Sequence, residues 1–187
     1  MTVVCLVTLK RSMYLVKSMC HSGAQISNQK RMLMTSPKNF LQTKSTKNLV
    51  LRAMQPDDSE ALARIYLGAR QHNFSWVKHP KLEDFARVSH GEVVEVAIIN
   101  QEIVGFASLS ERDSFLHLLF IKEGWNGCGI GAKLLDWERN QVTQALELKV
   151  VTANVAAQRF YEREGFLVVG KSVFAKPQNL TYRDGRK

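Results

Sequence analysis

Three glycines on alternate positions, Gly127, Gly129 and Gly131, constrain the fold of this 187-residue chain more than any other feature. The apolar run Phe115–Ile121 before them predicts a strand, and a helical pattern that includes Leu134 follows at once. Glycine allows the backbone to approach a ligand closely with its N–H groups exposed, and a helix start adds unpaired donors and the positive end of its dipole. The pattern therefore predicts a binding site for a pyrophosphate group.

The net charge of +9 comes from the N-terminal part of the chain. Nine basic residues and no acidic residue precede Asp57, and the remaining Lys and Arg balance the Asp and Glu. Because no aromatic or helical pattern organises these basic residues, we do not expect nucleic acid as a partner. We expect residues 1–47 to be an extension, either disordered or a leader, and residues 48–187 to form one domain.

The three cysteines have neither disulfide-framework nor metal-ligand spacing, which indicates a reduced, cytoplasmic protein without a metal. An N-terminal targeting segment stays open as an alternative. Cys128 lies among the glycines, where a small filler and a nucleophilic thiol are the two interpretations. No apolar run reaches the roughly 18–20 residues that span a membrane.

Periodicity and turn signals predict a series of seven strands and four helices after residue 48. Leu82 is expected on the buried side of the second helix and Trp137 on that of the third. The predicted strands are Leu49–Met54, Val93–Ile99, Ile103–Ser110, Phe115–Ile121, Leu146–Thr152, Phe166–Phe174 and Leu180–Arg183. The predicted helices are Ala61–Ala69, Lys81–Ser89, one from the glycine loop to about Gln144, and Ala156–Glu164.

Two nucleotide-binding interpretations of the glycine loop fail on its context. Gly127, Gly129 and Ala132 fit the dinucleotide pattern G-x-G-x-x-G/A, but the next strand ends at Asn154 without the carboxylate that holds a ribose. Too few residues remain downstream for a second half-domain. A Walker loop is excluded because no Gly-Lys-Ser/Thr follows.

Two motifs from the loop onward resemble the GNAT superfamily of acyl-CoA-dependent N-acetyltransferases. Asn126, Gly129 and Gly131 occupy the positions of its motif Q/R-x-x-G-x-G/A, with Asn where the family usually has Gln or Arg. The later motif N-x-x-A-x-x-F-Y-x-x-x-G-F is matched by Asn154, Ala157, Phe160, Tyr161, Gly165 and Phe166.

The resemblance covers residues 49–187 and implies an α/β (α+β) fold with a mixed, mostly antiparallel central sheet flanked by helices. It implies acetyl-CoA as co-substrate and a primary amine, on a small molecule or a peptide, as acceptor, attacked directly in a ternary complex. The alternatives are a CoA-binding regulatory module without turnover and a basic-tailed protein associated with nucleic acid. Monomer and homodimer are both left open.

The resemblance also implies the residues that hold acetyl-CoA. The backbone of Leu119, Phe120 and Ile121 is expected to pair with the pantetheine arm, and the Asn154 amide to reach the same arm or to cap its helix. Tyr161 is expected to act as the general acid and to contact the cofactor, with a core residue that only packs as the alternative. The remaining cofactor-binding residues are those of the loop: Asn126, Gly127, Cys128, Gly129, Ile130, Gly131 and Ala132.

His117 is the candidate general base, because strand alternation places it on the face of Leu119 and Ile121. Glu111 and Asp113 in the preceding turn are the alternatives. The alternative for His117 is a hydrogen-bonded core residue without a catalytic role. Three aromatic residues, Phe74, Trp76 and Tyr182, are expected to line the acceptor pocket, with a loop-anchoring role as the alternative for those in the irregular segment.

Overall fold

The computed structural model describes residues 4–6, 46–74 and 77–186, apart from the side chains of residues 4–6 and 73. Eight strands form one sheet in the order β2-β3-β4-β5-β6-β8-β7, with β1 beside β5. The strands are β1 Val4–Leu6, β2 Leu49–Ala53, β3 Val93–Ile99, β4 Glu102–Ser110, β5 Phe115–Ile121, β6 Glu147–Val151, β7 Phe166–Lys171 and β8 Asn179–Asp184. The helices are α1 Ser59–Asn73, α2 Asp84–Val88, α3 Ile130–Gln141 and α4 Val155–Arg163, with a 3₁₀ turn at Pro56–Asp58.

The sheet is mixed and mostly antiparallel, as predicted. Among the described strands only β5 and β6 pair in parallel, and their register joins Phe115 to Glu147 at the amino ends of the two strands. Further along, β1 pairs with β5 in antiparallel register, with Cys5 opposite Leu119, and it also lies next to β6. The carboxyl half of β5 therefore has β1, and not β6, as its second neighbour.

Two apolar cores cover the two faces of the sheet. The α1-side core joins α1 and α2 to the sheet and includes Tyr66, Phe85 and Phe120. The α3-side core joins α3 and α4 to the other face and includes Leu134 and Tyr161. Burial of large apolar side chains on both faces is the main source of stability for such a three-layer arrangement.

The predicted strand and helix order from Leu49 onward is confirmed, with differences at particular residues. Leu82 and Trp137 are exposed, contrary to prediction, and α3 ends three residues earlier than expected because Val142 is extended. The strand β7 stops at Lys171, since Val173 and Phe174 lie in an exposed connection. The 3-residue β1 is not predicted by the sequence pattern.

The predicted extension at residues 1–47 is described only at β1 and at residues 46–47, so its disordered or leader character stays a prediction. No helix in the described part of the chain has the length and apolarity to span a membrane. Within the same residues, no group of three or more His, Cys, Asp or Glu side chains could hold a metal ion.

Candidate active site

The glycine loop connects β5 to α3 in the way the sequence predicts. Gly127 and Gly129 have φ angles of 77° and 78°, in the left-handed region that side chains with a Cβ adopt only with strain. A Cβ built at either position would meet no atom of the described residues within 4 Å beyond its chain neighbours, so the space beside the loop backbone is open in that part of the structure. Gly129 is also the N-cap of α3. The local fold thus presents bare backbone to a ligand at a helix start.

A cavity of about 510 Å³ adjoins this loop on the α3 side of the sheet. Its walls come from the end of β5, the loop, the start of α3 and one face of α4. The first turn of α3 carries no acidic side chain, so the positive end of the helix dipole is not neutralised there. The lining residues are Ile121, Trp125, Asn126, Gly127, Gly129, Ile130, Gly131, Ala132, Ala156, Arg159, Phe160 and Arg163.

Three residues with polar side chains line the cavity: Asn126, Arg159 and Arg163. The Oδ1 atom of Asn126 is buried and has no hydrogen-bond partner among the described residues. Arg159 and Arg163 lie one helical turn apart on α4 and face the same cavity. The two arginines were missed by sequence analysis, although they stand inside the second motif at positions that the motif leaves unspecified. Guanidinium groups bind phosphates well, so they can supply the contact that a short Asn126 side chain does not.

The edge of β5 that is expected to hold the pantetheine arm is already paired in this structure. Val4, Cys5 and Leu6 lie opposite Phe120, Leu119 and Leu118 in the β1–β5 register. The side chains of Leu119 and Ile121 are buried in the α3-side core. The backbone of β5 is therefore placed next to the cavity, but β1 occupies the position that an extended ligand would take.

Tyr161 lies in the second turn of α4 and is fully buried. Its ring contacts Phe160, Phe166 and Tyr182, with centroids 5.0, 5.5 and 6.4 Å away. Phe160 lines the cavity, whereas Tyr161 does not. The motif thus brings the phenol close to the cavity wall, and a group inside the cavity reaches its hydroxyl only if the wall rearranges.

His117 does not share the face of Leu119 and Ile121, so the predicted placement is wrong. A β-bulge is the cause: Ser108 pairs with Leu118, and Leu109 pairs with Leu116, which leaves His117 as an extra residue on β5. The bulge shifts the alternation of side chains. As a result Leu116 packs into the α3-side core, and Leu118 into the α1-side core.

The His117 side chain is held by a carboxylate on the α1 side of the sheet. Its Nδ1 atom contacts Oε1 of Glu92, which precedes β3 directly, and its ring lies 4.9 Å from the Phe115 ring. The Ser108 hydroxyl donates a hydrogen bond to Oε2 of the same glutamate. Sequence analysis missed Glu92, because its approach to His117 depends on β4 lying between their two strands.

Asn154 takes the capping role that was one of its two expected functions. It is the N-cap of α4, and its Oδ1 accepts a hydrogen bond from the Ala157 N–H at 3.1 Å. Cys128 packs against the α3-side core and is absent from the cavity wall. Its Sγ lies 3.8 Å from the Asn126 carbonyl oxygen, which fits the filler interpretation.

The expected acceptor residues are not brought together. Phe74 is buried in the α1-side core and Tyr182 in the α3-side core, and Trp76 lies outside the described residues. The Tyr182 hydroxyl donates to Glu162 at 3.1 Å, and burial, followed by this carboxylate, raises its pKa to about 12. Tyr182 therefore serves the packing of α4 on the sheet. Glu111 and Asp113 are exposed in the β4–β5 turn.

Comparison with known proteins agrees with this fold. A family model described as acetyltransferase (GNAT) domain matches residues 71–177. The solution structure of apo-form YjaB from Escherichia coli is 23% identical, with a TM-score of 0.61 over 73% of this chain and 97% of that one. The structure of yncA from Salmonella typhimurium with its cofactor acetyl-CoA is 20% identical, with a TM-score of 0.55 over 73% and 92%.

A third similar structure is the ribosomal-protein-alanine N-acetyltransferase of Brucella melitensis, at 22% identity and a TM-score of 0.57 over 72% of this chain and 98% of that one. No curated protein matches the sequence. Since the family model spans more than half of the chain, the protein belongs to the GNAT acetyltransferase family.

Proposed function

We propose that this chain is an acetyl-CoA-dependent N-acetyltransferase that moves an acetyl group to a primary amine by direct attack in a ternary complex. The observation that carries the proposal is the cavity beside the glycine loop, which combines open backbone, a helix start and two arginines. Acetyl-CoA supplies the acetyl group as a thioester. The proposed acceptor is a primary amine, either on a small molecule or on a peptide.

The residues around the cavity fit the pyrophosphate of CoA. The N–H groups of Gly127 to Ala132 would hold its oxygens, since the first N–H groups of a helix lack partners within the helix. Arg159 adds a positive charge to the cavity wall. Arg163 lines the same wall and also pairs with Glu164 at 3.2 Å. The Asn126 Oδ1 accepts only, so it suits a donor such as an amide or hydroxyl of the ligand.

Two side chains are assigned to proton transfer. His117 would take a proton from the acceptor amine on the α1 side of the sheet, where a carboxylate supports its ring. The Tyr161 hydroxyl would give a proton to the leaving thiolate, a role that its place in the second motif suggests. The two groups lie on opposite faces of the sheet, which suits an acceptor and a CoA arm that enter from opposite sides.

The proposal requires β1 to leave the edge of β5. The N–H and C=O groups of Leu119 and Phe120 can bind an extended pantetheine arm only when Val4–Leu6 no longer pair there, whereas Ile121 has no partner residue on β1 in this register. Acetyl-CoA and β1 would then compete for one strand edge.

A CoA-binding regulatory module without turnover is the second candidate. Full burial of Tyr161 favours it, because a buried phenol outside the cavity wall opposes the general-acid role without opposing CoA binding.

One experiment separates the two candidates. Full-length protein is incubated with acetyl-CoA and a panel of small amines, amino acids, aminoglycosides and peptides, and both thioester loss and the acetylated product are measured. An N-acetylated product that forms in step with free CoA supports the enzyme. Thermal stabilisation by acetyl-CoA with no thioester loss across the panel would support the module. The matched pair of arginine variants, Arg159→Ala and Arg163→Ala, should weaken acetyl-CoA binding in either case.

A further inference from the structure

We propose that Glu92 is a positioning residue that orients His117 for proton removal from the acceptor amine. The assignment of His117 as the base rests on the function proposed above. The role of Glu92 rests on its own contacts, which place a nearly buried carboxylate behind a more exposed imidazole.

The Glu92 and His117 side chains differ in their exposure to solvent. The Glu92 side chain is 8% exposed and that of His117 is 28% exposed. An incoming amine therefore meets the imidazole first. The carboxylate is held from behind by the Ser108 hydroxyl, and Ser108 is itself fully buried in β4. Glu92 thus acts through the histidine and does not contact the acceptor.

A fixed carboxylate at Nδ1 determines which ring nitrogen carries the proton. In the neutral ring Nδ1 is then the N–H donor and Nε2 has the lone pair, so Nε2 is the atom that takes the proton. The amine N–H bond breaks as the Nε2–H bond forms, and the resulting imidazolium is stabilised by the Glu92 carboxylate before the proton passes to solvent.

The β-bulge at His117 turns its side chain to the face of the sheet on which Glu92 lies. Without the bulge, alternation would turn the His117 side chain toward the α3-side core, away from Glu92. Bulges commonly re-aim a side chain next to an active site. The bulge, Glu92 and Ser108 together therefore give His117 one orientation and one tautomer.

The first test measures which ring nitrogen of His117 carries the proton, and it needs no acceptor substrate. Long-range nitrogen–proton spectra of the full chain are recorded at a pH where the ring is neutral, and the His117 signal is assigned by its loss in His117→Gln. We expect the Nδ1–H tautomer in the wild type and a mixture in Glu92→Gln, with a smaller change in Ser108→Ala. A wild-type ring with its proton on Nε2, or a tautomer unchanged in Glu92→Gln, would overturn the proposal.

The second test uses an acceptor identified by the amine panel. Glu92→Gln should lower kcat about tenfold, less than the roughly 10²-fold loss expected for His117→Gln, and leave the KM for acetyl-CoA unchanged. The double variant should be no slower than His117→Gln alone, since Glu92 acts only through that ring. Losses that multiply in the double variant would contradict the positioning role. Glu102→Gln, an exposed glutamate paired with Lys122, is the matched control and should behave as the wild type.

Together the two tests distinguish a failure of the positioning role of Glu92 from a failure of the proposed enzyme function. If the tautomer changes as expected but no amine is acetylated, the Glu92–His117 contact stands and the proposed enzyme function fails. If an amine is acetylated but the tautomer is insensitive to Glu92, the function stands and the positioning role fails. Because Ser108→Ala removes only one hydroxyl, it provides the tautomer readout even if Glu92→Gln does not fold.

Discussion

A buried glutamate on α3 should make the stability of this protein depend strongly on pH. The Glu138 side chain is 1% exposed, and neither of its carboxylate oxygens has a hydrogen-bond partner among the described residues. Burial, followed by the charges of Glu95 and Glu111, raises the pKa of Glu138 to about 8. A carboxyl group in such a place keeps its proton at neutral pH.

The magnitude follows from linkage between protonation and folding. In the unfolded chain Glu138 has its ordinary pKa of 4.5 and loses its proton at lower pH than in the folded chain. Between about pH 5 and 8 only the folded chain keeps the proton, so the free energy of unfolding falls as pH rises, by about 1.4 kcal/mol per pH unit. Across that window the loss attributable to Glu138 is about 4 kcal/mol, and it ends above about pH 8.

The assay compares urea unfolding of the wild type and Glu138→Gln at several pH values across this window. Glutamine cannot ionise, so the stability of the variant relative to the wild type should rise steadily from pH 5 to 8, by about 4 kcal/mol in total. The comparison isolates Glu138, because other titrating groups contribute equally to both proteins. A difference that stays constant with pH would refute the assignment of a proton to buried Glu138.

Further predictions concern the loop, the core and the N-terminal strand. Gly129→Ala should weaken acetyl-CoA binding at least about tenfold. The control Gly91→Ala, with φ of 77° against 78° and equally open surroundings, should share only the backbone strain of about 1–3 kcal/mol and keep the affinity. Asp184→Ala should cost about 3–5 kcal/mol in urea unfolding, because Arg139, whose Nε lies 2.7 Å from Asp184 Oδ2, loses a buried counter-ion. A chain that begins at Asn48 should bind acetyl-CoA more tightly by calorimetry, since β1 is removed; unchanged or weaker binding would show that β1 does not compete.

Sequence patterns predicted most of the fold because periodicity records which face of each element is buried. The strand Phe115–Ile121 and the hairpin at Asn100–Gln101 are found as predicted, and both turn residues have positive φ. Leu82 and Trp137 were wrongly predicted to be buried. The burial of a residue depends on how α2 and α3 pack against neighbouring elements, which the local sequence does not record. The pairing of β1 with β5 is a contact between segments far apart in sequence, which no local pattern records.

The candidate site was predictable where a motif fixes it and unpredictable where tertiary contacts fix it. The glycine loop and its helix start lie where the motif puts them, and Asn154 caps α4. Alternation failed for His117 because one extra residue in β5 reverses the face of every side chain before it. Glu92 stands 25 residues before His117 in the chain, and only the folded sheet brings them into contact.

The central claim is that the cavity beside the glycine loop holds acetyl-CoA for transfer to an amine. The most direct measurement is the rate of CoA release with an amine panel, with mass spectrometry of the acceptor, for the wild type and for Gly129→Ala. The proposed function predicts an N-acetylated product in amounts equal to the CoA released, and a large loss of rate in Gly129→Ala. Tight binding of acetyl-CoA without consumption of its thioester by any amine would contradict it.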